Sequence, residues 1–449
     1  MRLARKLPLL VALTLLAPSV FAQCTPVQLT AAQAHQRMMD LLHITSIRPG
    51  FSGNPSGPNP ANYDESKAGP FSPIPNPLVL NNGKPVTSAR MWWKQRRPQI
   101  VALFDEDVLG KTPAHTPAVH WEIVSTTDEK NGDIPVITKK LIGHVDNSAC
   151  PAIHVDIQLT LSTPANAKGP VPVIMEMDLS PEVMAMLAKR FPNLFKQPAG
   201  PTWQQQVLAK GWGYASYIPT SVQPDDAQGL TQGIIGLVNR GQPRSPDDWG
   251  VLKAWAWGAS RALDYFETDK AVNAKKVGIT GHSRYGKASL IAMACDPRFA
   301  IGYISSSGEG GAKLYRHIYG EGVGNLASDE YYWMAGNFMK YDGPLTVNDL
   351  PVDANELIAL VAPRPVFISG GSSAQAADGW IDAKGMFLAA AGASPVYELL
   401  GVKGLGTDQF PPPLTSLTTG ALAFRQHDQG HTPVPNWPYF IGWAQRWLQ

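Results

Sequence analysis

The amino-acid sequence predicts an α/β protein: a three-layer sandwich with a mostly parallel central sheet, helices on both of its faces, and decoration at the N-terminus. Three observations predict it. From residue 171 onward, short apolar runs alternate with segments of helical spacing, the pattern of parallel strands joined by crossover helices. Hydrophobic residues make up 44% of the 449 and charged residues only 16%, which suits a large buried core. The 41 glycines and 40 prolines, without repeats or low-complexity tracts, indicate many turns and long ordered loops and exclude collagen, coiled coil and wholesale disorder.

The chain opens with a basic stretch, Met1 to Lys6, followed by an apolar run at 7–17 that falls well short of the roughly 20 residues of a membrane helix. Val20, Phe21 and Ala22 then offer a small-residue cleavage site. A secretory signal over 1–22 is therefore expected, which would leave a secreted or periplasmic chain with no membrane span. The remainder, 23–449, reads as a single domain in which 23–115 form an extension packed on the rest. The formal charge of +2 falls slightly below zero once Arg2, Arg5 and Lys6 are removed. Nucleic acid and anionic membrane both require clustered positive charge, so neither is an expected partner. Three cysteines allow at most one internal bridge; Cys24–Cys150 is the candidate, with Cys295 a buried thiol, and no pair has zinc-ligand spacing.

Within the extension, a helix is expected at 31–42, then a loop rich in Pro, Gly and Asn at 48–84, long enough to be structural trim or a lid. β-rich runs follow at 120–126, 136–145 and 153–163, the last alternating through Ile153, Val155, Ile157, Leu159 and Leu161. Buried strands are expected at 171–177 and 213–218, with a helix at 203–209 between them. Ser245-Pro246-Asp247-Asp248 has the chemistry of a helix start, leading a helix that carries Trp249, Leu252, Trp255 and Leu263. Further strands are expected at 276–280, 300–305, 365–369 and 421–427. Helices are expected from about 286, at 382–391 and from 436, and a long excursion reaches 362.

The chemistry is concentrated where the 276–280 strand meets its helix: Gly281-His282-Ser283-Arg284-Tyr285-Gly286-Lys287. A serine between glycines on a strand-to-helix turn is the context of a nucleophile elbow, although Gly286 lies three positions after Ser283 where the usual pattern has two. Such a nucleophile is followed in the chain by an acid and then a histidine. His431, after Gly430 and before the last helix, is the candidate base; His282 is expected to support the turn. Asp378, following the 365–369 strand, leads for the acid, with Glu309 after the 300–305 strand as the alternative, since both lie at the strand ends where open α/β sheets bind ligands.

With Ser307-Gly308-Glu309-Gly310-Gly311, Ala362-Pro363-Arg364-Pro365, Gly430-His431, Pro246-Asp247-Asp248-Trp249-Gly250, the 254–260 segment, Arg48-Pro49-Gly50 and Arg96-Arg97-Pro98, the elbow resembles the bacterial glucuronoyl esterases of carbohydrate esterase family 15. The resemblance covers most of the chain. It implies an α/β-hydrolase fold that cleaves the ester between a glucuronic acid branch of xylan and a lignin alcohol, with Ser283 as nucleophile, His431 as base and Arg284 as an oxyanion-stabilising side chain. It further implies that Lys287, Glu321 and Trp380 bind the uronic acid ring. Many members carry their acid just before the Ser-Gly-x-Gly-Gly run, where this chain has Ser306. Others place it in an Asp-x-Trp pattern that Asp378-Gly379-Trp380 matches, which favours Asp378 and keeps Glu309 in reserve. Asn355 stands where relatives often have histidine.

The expected activity is serine esterase chemistry on a carbohydrate ester by a monomer, without metal or other cofactor. Two other readings remain: an acetyl-xylan or general carboxylesterase with a small acyl pocket, and a non-catalytic carbohydrate-binding protein in which Ser306 marks a decayed triad.

Overall fold

A computed structural model of the protein describes residues 24–190, 200–372 and 378–449. The leader expected over 1–22 lies outside them, and among the described residues no helix is long and apolar enough to cross a membrane. The strands β1 (Val119–Asn131), β2 (Ile134–Val145), β3 (Asp156–Pro164), β4 (Val171–Met177), β5 (Gly213–Tyr217), β6 (Val272–His282), β7 (Ile301–Ser305), β8 (Val366–Gly371), β9 (Ser416–Leu417) and β10 (Leu422–His427) form one sheet in the order β1-β2-β3-β5-β4-β6-β7-β8-β10-β9. β1, β2, β3 and β5 pair antiparallel, the run from β5 to β10 is parallel, and β9 closes the far edge antiparallel.

Burial follows this topology. In β3, Ile157, Leu159 and Leu161 are buried while Asp156 and Gln158 face out, the alternation of a sheet region covered on one side. β7 and β8 are buried at every residue because helices cover both faces there. On one face Trp203 of the Trp203–Leu208 helix stacks on Trp437 of the Trp437–Leu448 helix at 4.5 Å, over Ile174, Tyr303 and Phe367. The helices Val251–Phe266, Arg284–Cys295 and Ala383–Leu399 cover the opposite face, within a larger core that also takes in Met38, Trp92 and Phe104 of the extension. Every residue of Val251–Phe266 except Arg261 and Asp264 is buried.

The extension is held by specific polar contacts as well as apolar ones. Arg96 pairs with buried Glu356 at 2.5 Å, and Lys253 of the central helix reaches Asp105 and the Gly110 carbonyl. Asn355 donates to the Pro75 carbonyl at 2.8 Å, so at this position the side chain fastens the 48–84 loop. Cys24 and Cys150 are bonded across 126 residues of sequence, tying the start of the extension to the segment before β3. A covalent link that closes so long a loop restricts the unfolded chain, so Cys150→Ser is expected to lower stability by about 2–4 kcal/mol, read as a fall in the urea midpoint at unchanged slope.

Three expectations need correction. Ser245 does not cap the following helix: its N–H donates to Asp248 Oδ2 at 2.6 Å in a closed turn, and the helix starts at Val251 after Gly250. Cys295 is exposed, not buried, at the end of its helix. The helix expected at 382–391 runs from Ala383 to Leu399, capped by Asp382, whose Oδ1 accepts from the Gly385 N–H at 2.8 Å.

Candidate active site

The turn between β6 and the Arg284–Cys295 helix is tight because two glycines let backbone approach backbone. A Cβ on Gly281 would stand 2.3 Å from the Tyr285 carbonyl oxygen, and one on Gly286 would stand 2.7 Å from that of Ser305. A side chain at Gly286, three positions after the serine, would therefore not fit the turn. Ser283 itself adopts φ 59°, ψ −128°, a conformation that non-glycine residues rarely hold. Its N–H is fixed to the Ser305 carbonyl at 2.9 Å, while its hydroxyl makes no capping bond and remains free to react. The side chain stands at the helix N-terminus, where unpaired N–H groups and the helix dipole favour developing negative charge.

His431 lies in the loop after β10, and its position is set from two sides. His427 closes that loop: its Nδ1 accepts from the Gln429 N–H at 3.1 Å, so its Nε2–H donates to the Thr432 carbonyl at 2.8 Å. Burial favours this neutral imidazole and moves the His427 pKa down. From the other side, His431 Nδ1 lies 2.7 Å from Asp378 Oδ1. Asp378 is buried, and its Oδ2 accepts from Ser306 Oγ at 3.0 Å and the Gly371 N–H at 2.8 Å. A carboxylate receiving these hydrogen bonds is held in one orientation. Ser306 thus donates to Asp378, which lies in the segment after β8.

The His282 and His431 rings are 4.3 Å apart, which brings the imidazole of His431 against the residue preceding Ser283. His282 is itself anchored by Ser305 Oγ at 3.1 Å from its Nδ1. Burial, and then the neighbouring His431, hold it well below the ordinary histidine range, so His282 is neutral.

Glu309 is elsewhere. Its Oε2 pairs with Lys313, both side chains fully buried, and no hydrogen bond links it to His431. Lys287 is buried with each of its three donors engaged: on the Ser307 carbonyl at 2.8 Å, the Glu309 carbonyl at 2.7 Å and Glu321 Oε2 at 2.8 Å. The same Glu321 oxygen accepts from the Glu309 N–H at 3.0 Å, and the Glu321 N–H donates to the Trp380 carbonyl at 2.8 Å. Lys287 and Glu321 thus form a buried pair that braces the 307–311 loop. Trp380 is half-buried and faces Gly53, which brings the 48–84 loop to this side of the site.

Arg284 differs from Lys287. One guanidinium nitrogen, Nη1, binds Asp225 at 2.5 Å; the remaining donors make no hydrogen bond among the described residues, and the side chain is 43% exposed. Asp225 and Trp333, its neighbours, were not read as site residues in the sequence. Asp225 sits in a Gln-Pro-Asp-Asp run that signals only a turn, and Trp333 in an aromatic cluster that signals only core.

A family model described as glucuronyl esterase of fungi matches residues 244–401. A carbohydrate esterase from an unknown prokaryotic organism is 32% identical over 415 residues, covering 86% of this chain and 92% of that protein. A solved glucuronoyl esterase from Teredinibacter turnerae is 44% identical with a TM-score of 0.87, covering 93% of this chain and 99% of that one. Another, from Solibacter usitatus, is 34% identical with a TM-score of 0.74, covering 86% and 100%. With the serine elbow, the imidazole and the α/β sheet that holds them, these likenesses establish that the chain is a carboxylic ester hydrolase and belongs to carbohydrate esterase family 15, the glucuronoyl esterases.

Proposed function

We propose that the protein is a secreted serine esterase that cleaves 4-O-methyl-glucuronoyl esters joining glucuronoxylan to lignin alcohols, with Ser283, His431 and Asp378 as its triad. The observation that carries the reading is the 2.7 Å contact of His431 Nδ1 with buried Asp378, beside a serine elbow whose hydroxyl is unengaged. Relatives named 4-O-methyl-glucuronoyl methylesterase, such as that of Schizophyllum commune, support the substrate class.

The chemistry follows from the geometry. With Nδ1–H donated to Asp378, His431 presents a bare Nε2 that takes the Ser283 proton as Oγ bonds to the ester carbonyl carbon. The carbonyl oxygen becomes an oxyanion beside the free N–H groups of the helix N-terminus and the open donors of Arg284. A glucuronoyl ester is neutral at its carboxyl, so this positive charge acts on the transition state more than on the bound substrate, and only such differential binding lowers the barrier. Collapse breaks the bond to the alcohol, which leaves with the proton from His431. Water then attacks the acyl-enzyme with His431 again as base.

Asp378 sets a carboxylate against the imidazole where Ser306 cannot, which speaks against the decayed-triad reading. The direct test is hydrolysis of benzyl glucuronate beside an acetylated xylan. Cleavage of the glucuronate ester is expected; acetate release alone would place the protein in another substrate class, and turnover of neither would favour a binding role.

A further inference from the structure

Among the described residues of the site Arg284 is a charged donor that stays partly exposed, yet it is not a free cation. Its Nη1 donates to Asp225 Oδ2 at 2.5 Å, while the other oxygen of Asp225 accepts from Trp333 Nε1 at 2.7 Å. The indole closes the triangle from beneath: the guanidinium carbon lies 5.0 Å from the Trp333 ring centroid, within the range of a cation–π contact. Trp333 is almost fully buried, so it is a fixed platform. Burial works against the charged guanidinium, and the charge and hydrogen bond of Asp225, followed by the charge of Glu330, outweigh it and keep Arg284 protonated. Glu330 makes no hydrogen bond to Arg284, so Asp225 is the partner that fixes its direction.

A hydrolase of uronic acid esters meets an electrostatic difficulty that an acetyl esterase meets less sharply. Its substrate is neutral at the reacting carbon, its transition state carries one negative oxygen, and its product is a carboxylate at the same place, attached to a sugar the site already binds. An unpartnered arginine there would grip the product as a bidentate fork. Resting on the glucuronoyl reading above, we infer that Asp225, held by Trp333, is a positioning residue: it aims Arg284 at the oxyanion and offsets its charge, so that the uronate product is released. The bond to Asp225 takes one Nη1–H and sets a negative charge beside the guanidinium, which weakens its hold on a full carboxylate charge while its other N–H groups still reach the oxyanion.

The test titrates glucuronic acid at neutral pH into wild type, Asp225→Asn, Trp333→Phe, Arg284→Ala and the Asp225→Asn/Arg284→Ala pair, and measures kcat and KM for benzyl glucuronate on all five. Asparagine keeps the shape, removes the charge and sets an amide N–H against one of its two donors. Asp225→Asn is therefore expected to bind glucuronate about tenfold more tightly and to lose about tenfold in kcat with no rise in KM. Trp333→Phe, which keeps a ring and removes the N–H, should move both quantities in the same direction by less. In the Arg284→Ala background, adding Asp225→Asn should change neither. Unchanged or weaker product binding in Asp225→Asn, or a second full loss in the double variant, would overturn the inference. Absence of turnover by wild type would count instead against the glucuronoyl reading, and the product titration would still decide the role of Asp225.

Discussion

Ser283→Ala should lower kcat for benzyl glucuronate by about 10⁵-fold while leaving binding of glucuronic acid within about twofold. The size of the effect comes from the loss of the acyl-enzyme route itself, since the residual rate must come from the oxyanion donors and bound water alone. Little else should change. The Ser283 hydroxyl caps nothing, and alanine must adopt the same φ of 59° with the same Cβ, so folding stability is expected to stay within about 0.5 kcal/mol. Single-turnover hydrolysis and a product titration on the same preparation separate the two quantities. Parallel loss of binding would indicate that the serine shapes the cleft.

Asp378→Asn should cost about 10³–10⁴-fold in kcat, with KM little changed. Asp378 accepts from His431 on one oxygen and from Ser306 and Gly371 on the other. An amide has a single accepting oxygen. If its N–H₂ meets His431, the imidazole is driven to the tautomer with Nε2 protonated, which cannot take the serine proton. If it turns instead toward Ser306 and Gly371, a buried backbone donor is left facing a donor, at about 1–3 kcal/mol of stability. Turnover and the thermal midpoint together therefore report which orientation the amide takes.

Much of this site is legible in the sequence because its members stand at strand ends in a fixed chain order. Ser283 follows β6 and His431 follows β10, and Asp378 comes after β8 in a pattern whose neighbours, Gly379 and Trp380, mark it. What the sequence hides is contact between distant segments. Asp225 lies 59 residues before Arg284 and 108 before Trp333, in a connection with no periodicity, so nothing local couples the three. The engagement of Lys287 is hidden for the same reason: two of its acceptors are loop carbonyls that only the folded 307–311 segment presents. At Ser245 the misreading is chemical, because Ser, Pro and Asp serve a side-chain-closed turn as well as a helix start, and here the turn prevails. The helix Arg97–Asp107 does not stand out in the sequence because its apolar residues form one unbroken run, Ile100 to Phe104, with no helical spacing to mark it.

Asp378 and Glu309, the two candidate acids, differ sharply in what their loss should do. Glu309 shares a fully buried ion pair with Lys313, so Glu309→Gln should lower the thermal midpoint by exposing a lysine without its partner, while protein that remains folded keeps its turnover number. Asp378→Ala should also lower the midpoint, because Ser306 and the Gly371 N–H lose their acceptor, but here the protein that remains folded loses its turnover. The measurement is kcat for benzyl glucuronate on wild type, Asp378→Ala and Glu309→Gln, each corrected for its folded fraction. A loss of about 10³-fold or more confined to Asp378→Ala is the expected result; the same loss in Glu309→Gln with Asp378→Ala near wild type would contradict it.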